Sequence, residues 1–198
     1  MPVNRRTADP GIEAVTYNRR MPFADRVTTA PLTPAHVAEY RRLRLRALAE
    51  HPESFRSDAE EEAARPLSWW HERLAPRAQS NAVFFGAWTA GSELVGTAGL
   101  LFETRRNVRH TATIVGMYVA PEHAGRGIGA RLLAACIDLA RSDDWLEMLY
   151  LTVTSTNAGA IRLYERSGFT AYGREPRSMR IGDRTFDKLL MALHIRPE

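Results

Sequence analysis

Three alternating glycines, in Gly125-Arg126-Gly127-Ile128-Gly129, constrain this chain more than any other feature, because they stand between a strand-like segment ending at Val119 and a stretch with helical periodicity. Beyond them Ile128, Leu132, Cys136 and Leu139 recur on one face of a helix expected from about Gly127 to Arg141. In that setting the helix start presents unpaired N–H groups and about half a positive charge, while glycine lets the main chain approach an anion with no Cβ in the way. Arg126 adds charge-assisted hydrogen bonds, so a pyrophosphate is the ligand chemistry expected at the turn. Two other phosphate motifs are excluded by spacing. No Gly-Lys-Ser/Thr follows, as a nucleoside-triphosphate loop requires, and Leu132 stands where the third glycine of G-x-G-x-x-G would fall. On the glycines alone, a tight loop without a ligand is the competing reading.

The remaining pattern sets this turn in an α/β domain. Thr33 and Pro34 read as N-cap and first residue of a helix in which Val37, Tyr40, Leu43 and Ala47 share a face and which ends near His51-Pro52. A second helical stretch is expected from Trp69 to Leu74. Then the period shortens. Ala82 to Ala90 and Leu94 to Phe102 read as a hairpin across Gly91-Ser92, followed by a strand from Thr111 to Val119. After the glycine turn and its helix come a strand at Leu149 to Val153 and a helix from Asn157 to Ser167 that stops at Gly168. A hairpin around Gly182-Asp183 closes the chain, with Thr185 to Ile195 as its last strand. The expected order is helices first, three antiparallel strands, helix, strand, helix and hairpin, which makes a single mixed, mainly antiparallel sheet flanked by helices.

At 198 residues the chain suffices for one sizeable core, so one domain is expected over residues 27–198. Residues 1–26 hold Arg5, Arg6, Arg19 and Arg20 but no sustained apolar period, and read as an extension. The net charge of +4 is carried by cations scattered among Asp and Glu, and Lys188 is the only Lys. That scatter argues against a nucleic-acid partner and for one local positive site on a phosphorylated small molecule. Cys136 is the only Cys, which excludes an intrachain disulfide, and its neighbours Leu132, Leu133 and Leu139 mark it as core. No apolar run approaches the roughly 20 residues that span a bilayer, and the first residues lack a signal-peptide core. A cytoplasmic protein with no membrane partner is expected.

Met117-Tyr118-Val119-Ala120-Pro121 followed by Gly125-Arg126-Gly127-Ile128-Gly129 resembles the coenzyme motif of the GNAT acetyltransferase superfamily, Gln/Arg-x-x-Gly-x-Gly/Ala after a strand that often ends in an aromatic-Val pair. The family's Gln/Arg falls on Ala124, so one usual side chain is absent and Arg126 is expected to substitute in part. Asn157, Ala160, Leu163-Tyr164 and Gly168-Phe169 are similar to the family's N-x-x-A-x-x-L-Y-x-x-x-G-F helix and turn. The region from Leu32 to Glu62, with Leu43-Arg44-Leu45-Arg46-Ala47-Leu48 and Pro52-Glu53-Ser54-Phe55, resembles members acting on small or N-terminal amines.

The resemblance implies that the strand at Met117 to Val119 splays from the strand at Leu149 to Val153 and admits a pantetheine arm. It implies acetyl-CoA as cosubstrate, without a metal, held by Met117, Tyr118, Val119, Gly125, Arg126, Gly127, Ile128, Gly129, Ala130 and Asn157. Main-chain N–H groups near Met117 to Val119 would hold the acetyl carbonyl, and Tyr164 would be catalytic, protonating the coenzyme sulfur. Read alone, Tyr164 is an aromatic packed on the sheet, and Asn157 is a helix N-cap. The acceptor is expected to be the primary amine of a small molecule. A protein N-terminal or lysine acetyltransferase and a non-catalytic CoA-binding sensor are the alternatives, and a homodimer is an allowed assembly. For the general base, Glu60, Glu61 and Glu62 point in different directions on a helix, while His110 and His123 flank a strand and the turn. Phe55, Trp69 and Trp70 are candidates for the acceptor pocket.

Overall fold

The computed structural model describes residues 27–196, so the expectation for residues 1–26 lies outside the described residues. A seven-stranded sheet in the order β1-β2-β3-β4-β5-β7-β6 organises them, with β4 and β5 parallel and all other neighbours antiparallel. The strands are β1 (Val27–Pro31), β2 (Ala82–Thr89), β3 (Leu94–Phe102), β4 (Thr111–Val119), β5 (Met148–Thr154), β6 (Thr170–Ile181) and β7 (Arg184–His194). The helices are α1 (Val37–Glu50), α2 (Ala59–Ala63), α3 (Leu67–Arg73), α4 (Ile128–Ser142) and α5 (Ala158–Arg166).

The described residues therefore begin with a strand and not with helices, which corrects the expected order. The five residues of β1, two of them Thr and the last Pro, carry too little alternation to be read from sequence, and pairing with β2 from Val27↔Thr89 to Pro31↔Phe85 decides their state. β1 is an edge strand ending in Pro31, where the missing N–H is tolerated. Thr33 caps a short 3-10 turn, Pro34–His36, rather than α1 itself: its N–H donates to His36 Nδ1 at 3.0 Å. The unforeseen α2 starts at Asp58, whose Oδ1 accepts from the N–H groups of Glu60 and Glu61 at 2.8 and 3.1 Å.

Two apolar layers sandwich the sheet. On one side Tyr40, Leu43 and Ala47 of α1 and Trp70 of α3 pack on Phe84, Leu94 and Tyr118. On the other, Ile128, Leu132, Leu133, Cys136 and Ile137 of α4 pack with Tyr164 of α5 on Val95, Ala98, Leu100 and Ile114. Each large aliphatic side chain buried this way contributes about 1.5–3 kcal/mol, which holds α4 and the turn before it in a fixed position. Cys136 is fully buried, and burial pushes its thiol pKa up, as expected of core.

Candidate active site

The site begins where the sheet stops pairing. β4 and β5 share a register only at Thr111↔Met148, Ala112↔Leu149 and Thr113↔Tyr150, after which the strands part. The register between β3 and β4 shifts in the same region, from Gly99↔Val115 to Thr97↔Tyr118, so two residues of β4, Gly116 and Met117, stand opposite Ala98 alone. This bulge needs a left-handed residue, and Gly116 supplies φ +63°. The outer half of β4 is thereby left with main-chain groups on its β5 edge that no neighbouring strand satisfies. Met117, Tyr118 and Val119 all line the resulting cavity of about 1690 Å³.

At the end of β4 the chain enters the glycine turn. Gly125 and Gly127 have φ +75° and +72°, and a Cβ built on either would meet nothing within 4 Å. Gly127 is the N-cap of α4, and the first return bond of the helix runs from Arg131 N–H to Gly127 O at 3.1 Å. The N–H groups of Ile128, Gly129 and Ala130 therefore have no acceptor within the helix, and all three residues line the cavity. Arg131 also fixes the turn through its side chain, donating to Arg126 O at 3.0 Å and to Val27 O at 3.1 Å. Arg126 is exposed and, unlike Ala124, Gly125 and Gly127 to Ala130, is not among the residues that line the cavity. His123 does line it, with an Nδ1 that is buried and unpartnered among the described residues.

α5 forms the facing wall. Asn157 caps it, Oδ1 accepting from Ala160 N–H at 3.0 Å, and lines the cavity. Tyr164 is 6% exposed, lies edge-on to Phe169 at 6.1 Å between centroids, and also lines the cavity. Burial raises its pKa, so the phenol stays protonated. The close approach of α4 and α5 depends on Gly129, where a Cβ would lie 3.3 Å from Leu163 Cδ2.

The opposite end of the cavity is built from side chains. Arg44 is bidentate to Glu62, Nη2 to Oε1 at 2.7 Å and Nε to Oε2 at 3.0 Å, with both groups buried. Although burial opposes it, Arg44 keeps the Glu62 carboxyl below its usual range. Glu62 is thus committed to an ion pair, Glu60 and Glu61 are exposed, and none of the three lines the cavity. Phe55 and Trp69 do line it, whereas Trp70 is fully buried core. His110 also stands apart from the lining and receives the N–H groups of Glu147 and Met148 on its carbonyl. The Tyr118 side chain turns to the α1 layer, where its hydroxyl donates to Glu50 Oε2 at 2.8 Å.

Sequence reasoning missed Gly116, Arg131 and the role of Lys188. Lys188 is 1% exposed and donates to Thr154 Oγ1 at 2.7 Å, Glu53 O at 3.1 Å and Ser54 O at 3.2 Å. It ties the turn after α1 to β5 and β7. Burial, with Arg56 adding to it, pushes its pKa down to about 8. One signal was available: a lone Lys in a chain otherwise committed to Arg marks a place where a compact three-donor ammonium fits and a planar guanidinium does not.

A sheet that opens at a bulge beside a glycine-started helix defines a mixed α/β domain with its cavity at the parting of β4 and β5. Residues 44–169 match the profile of the Acetyltransferase (GNAT) family, and the chain belongs to that family. Among curated relatives, the L-methionine sulfoximine/L-methionine sulfone acetyltransferase of Salmonella typhimurium is 35% identical over 86 residues, covering 41% of this chain and 50% of that protein. The N-alpha-acetyltransferase RimI of Mycobacterium tuberculosis is 35% identical over 92 residues, covering 46% of this chain and 55% of that protein. The matched stretch thus spans about half the length of these two relatives. In three dimensions the Salmonella typhimurium protein yncA, solved with its cofactor acetyl-CoA, matches with a TM-score of 0.71 at 22% identity, over 87% of this chain and 96% of that one. This likeness shows the same fold, the mixed seven-stranded sheet flanked by helices. Among the described residues no helix is long and apolar enough to cross a membrane.

Proposed function

We propose that this protein is an acetyl-CoA-dependent N-acetyltransferase acting on the primary amine of a small molecule. The observation that carries the reading is one continuous cavity running from the open N-terminus of α4, along the unpaired edge of β4, to Tyr164. The residues fit the coenzyme: Gly125 and Gly127 leave vacant the space a Cβ would take, α4 offers free N–H groups to a pyrophosphate, and His123 Nδ1 is an additional unpartnered polar atom. The coenzyme would supply an acetyl group activated as a thioester.

In this proposal the bulge at Gly116 and Met117 aims main-chain N–H groups at the oxygen that gains charge as the amine attacks. Tyr164, kept protonated by burial, donates to the departing sulfur. A thiol with a reference pKa of about 8.5 needs only modest help to leave. Glu62 is not assigned as base, since it is held by Arg44, and water can carry the amine proton out. The small-molecule acceptor is supported by the ties that hold the segment after α1 against β6 and β7, Lys188 to Ser54 O and Arg56 to Glu175. The lone buried thiol of Cys136 fits a reducing compartment, and a cytoplasmic setting is part of the same proposal. The test is thiol release from acetyl-CoA against amino acids, polyamines, aminoglycosides and short peptides. Turnover confined to peptides would overturn the small-molecule reading, and no turnover despite tight coenzyme binding would favour a sensor.

A further inference from the structure

Four cations line the acceptor end of the cavity: Arg44, Arg56, Arg73 and Lys188. Three are committed within the protein. Arg44 holds Glu62, Arg56 pairs with Glu175, and the Lys188 ammonium donates to three oxygens. Arg73 differs. Its Nε donates to Tyr40 Oη at 2.9 Å, and among the described residues it has no ion pair and no hydrogen bond from either terminal nitrogen. Its guanidinium lies over two aromatic rings, 4.7 Å from the Phe84 centroid and 5.1 Å from that of Trp69. The Phe84 ring also reaches the β4 bulge, since a Cβ built on Gly116 would sit 3.5 Å from Phe84 Cε1. One aromatic ring therefore separates an uncommitted guanidinium from the place where the acetyl carbonyl is to be held.

A half-buried guanidinium, fixed through Nε and stacked on rings, keeps its two-pronged fork for a planar anion and has already lost part of its hydration. Glu62 senses Arg73 through space, but both its oxygens are taken by Arg44. Glu53 and Glu72 line the same cavity and place negative charge on its wall, so this end offers both signs.

We propose that Arg73 binds a carboxylate on the acceptor, which makes the acceptor class a small amino acid or amino-acid analogue acetylated on its amine. The proposal rests on the acetyltransferase reading above. The step forms an amide N–C bond and breaks the thioester C–S bond, the amine proton passing to solvent and the sulfur leaving as the thiol.

The experiment is thiol release from acetyl-CoA with matched acceptors, L-amino acids against their α-amides and their decarboxylated amines, for the wild type, Arg73→Gln and Arg73→Lys. The wild type should favour the acids. Arg73→Gln should raise KM for the acids by about 10²-fold while leaving the amides within a few-fold, and Arg73→Lys should recover part of the loss. Coenzyme affinity by calorimetry should be unchanged in both variants. Preference of the wild type for amides or polyamines overturns the proposal while leaving the acetyltransferase reading intact. Equal losses on acids and amides make Arg73 a scaffold residue and also overturn it. Failure of the wild type to bind acetyl-CoA or to acetylate any acceptor removes the acetyltransferase reading, and the Arg73 proposal with it. Arg73→Lys retains the charge and keeps the test readable if Arg73→Gln fails to fold.

Discussion

The two ends of the cavity are made of different material. The end at α4 is main chain: left-handed glycines, free N–H groups and an unpaired strand edge, with Arg131 bracing the turn from behind. The acceptor end is side chain: a buried Arg44–Glu62 pair, a Lys188 cage and Arg73 stacked on Phe84. In the proposed function, main-chain ligation would serve the invariant part of the coenzyme, a pyrophosphate and an amide-bearing arm. Side-chain ligation can be altered one residue at a time, and in the same proposal choice of acceptor would belong there. The difference implies that mutations at the first end should change coenzyme affinity irrespective of acceptor, while those at the second should change stability or acceptor preference.

The largest effect should come from breaking the buried ion pair. Glu62→Ala strands the Arg44 guanidinium, 5% exposed, in an apolar setting over the Phe55 ring, and should cost about 3–5 kcal/mol in denaturant unfolding. Coenzyme binding by whatever remains folded should be unchanged. A loss below about 1 kcal/mol would place the pair with ordinary surface bridges and remove its claim to shape the acceptor end.

Tyr164→Phe comes next, and it lies where the two materials meet. The ring and its contact with Phe169 are retained and only the hydroxyl goes, so stability and coenzyme affinity should hold while single-turnover acetyl transfer falls. A general acid is worth about 10²–10⁴ in rate, and the good leaving group puts the expectation near the lower figure. Single-turnover measurement keeps slow product release from hiding the change. An unchanged rate across pH would reduce Tyr164 to packing.

Gly127→Val tests the main-chain end. A β-branched residue at φ +72° is strained by about 1–3 kcal/mol, and its side chain would project into the open space beside the α4 N-terminus. Coenzyme affinity by calorimetry should drop roughly tenfold or more with the fold retained, and by the same factor whichever acceptor is present. Equal affinity in a folded variant would move the pyrophosphate away from this turn.

The contrast also explains what the sequence made legible. The strands of β2 to β4, the helix after the glycines and the left-handed Gly168 were readable because each follows from local periodicity or a residue with a single conformational use. The glycine turn and the helix start behind it were readable for the same reason, since glycines and a strand-to-helix junction announce free N–H groups. β1 was not, because only its partner strand makes those five residues extended. Neither was the commitment of Glu62, since nothing in three successive Glu residues says which will meet an arginine 18 positions earlier. Gly116 shows the middle case: a glycine inside a strand hints at a bulge, but its register shift exists only against β3.

The smallest effect concerns Lys188 and is a matter of sign. Its pKa, ordinarily 10.5, is pushed down to about 8 by burial and by Arg56, against the pull of Glu53 and Glu175. From about pH 8 to 10.5 the unfolded chain therefore holds a proton that the folded protein has released, and stability should rise with pH through that window. Below about 8 both states carry the charge, so the cost of burying it is present in full and no longer changes with pH. The slope cannot exceed about 1.4 kcal/mol per pH unit, so urea unfolding of wild type and Lys188→Met at pH 7 and pH 9 should differ by about 1 kcal/mol in their gap, in favour of the wild type at pH 9. The cage itself works against this. Thr154 already gives its hydroxyl proton to Glu53 O at 2.6 Å, so the three oxygens around Nζ all ask for donors, and a neutral amine has only two to give. A gap that stays flat between the two pH values would mean that the oxygens outweigh burial and that Lys188 remains an ammonium clamp throughout. A gap that moves in favour of the wild type as pH rises would mean that burial wins, and that Lys188, unlike any group of the glycine turn, gives up its ammonium as the solution becomes basic.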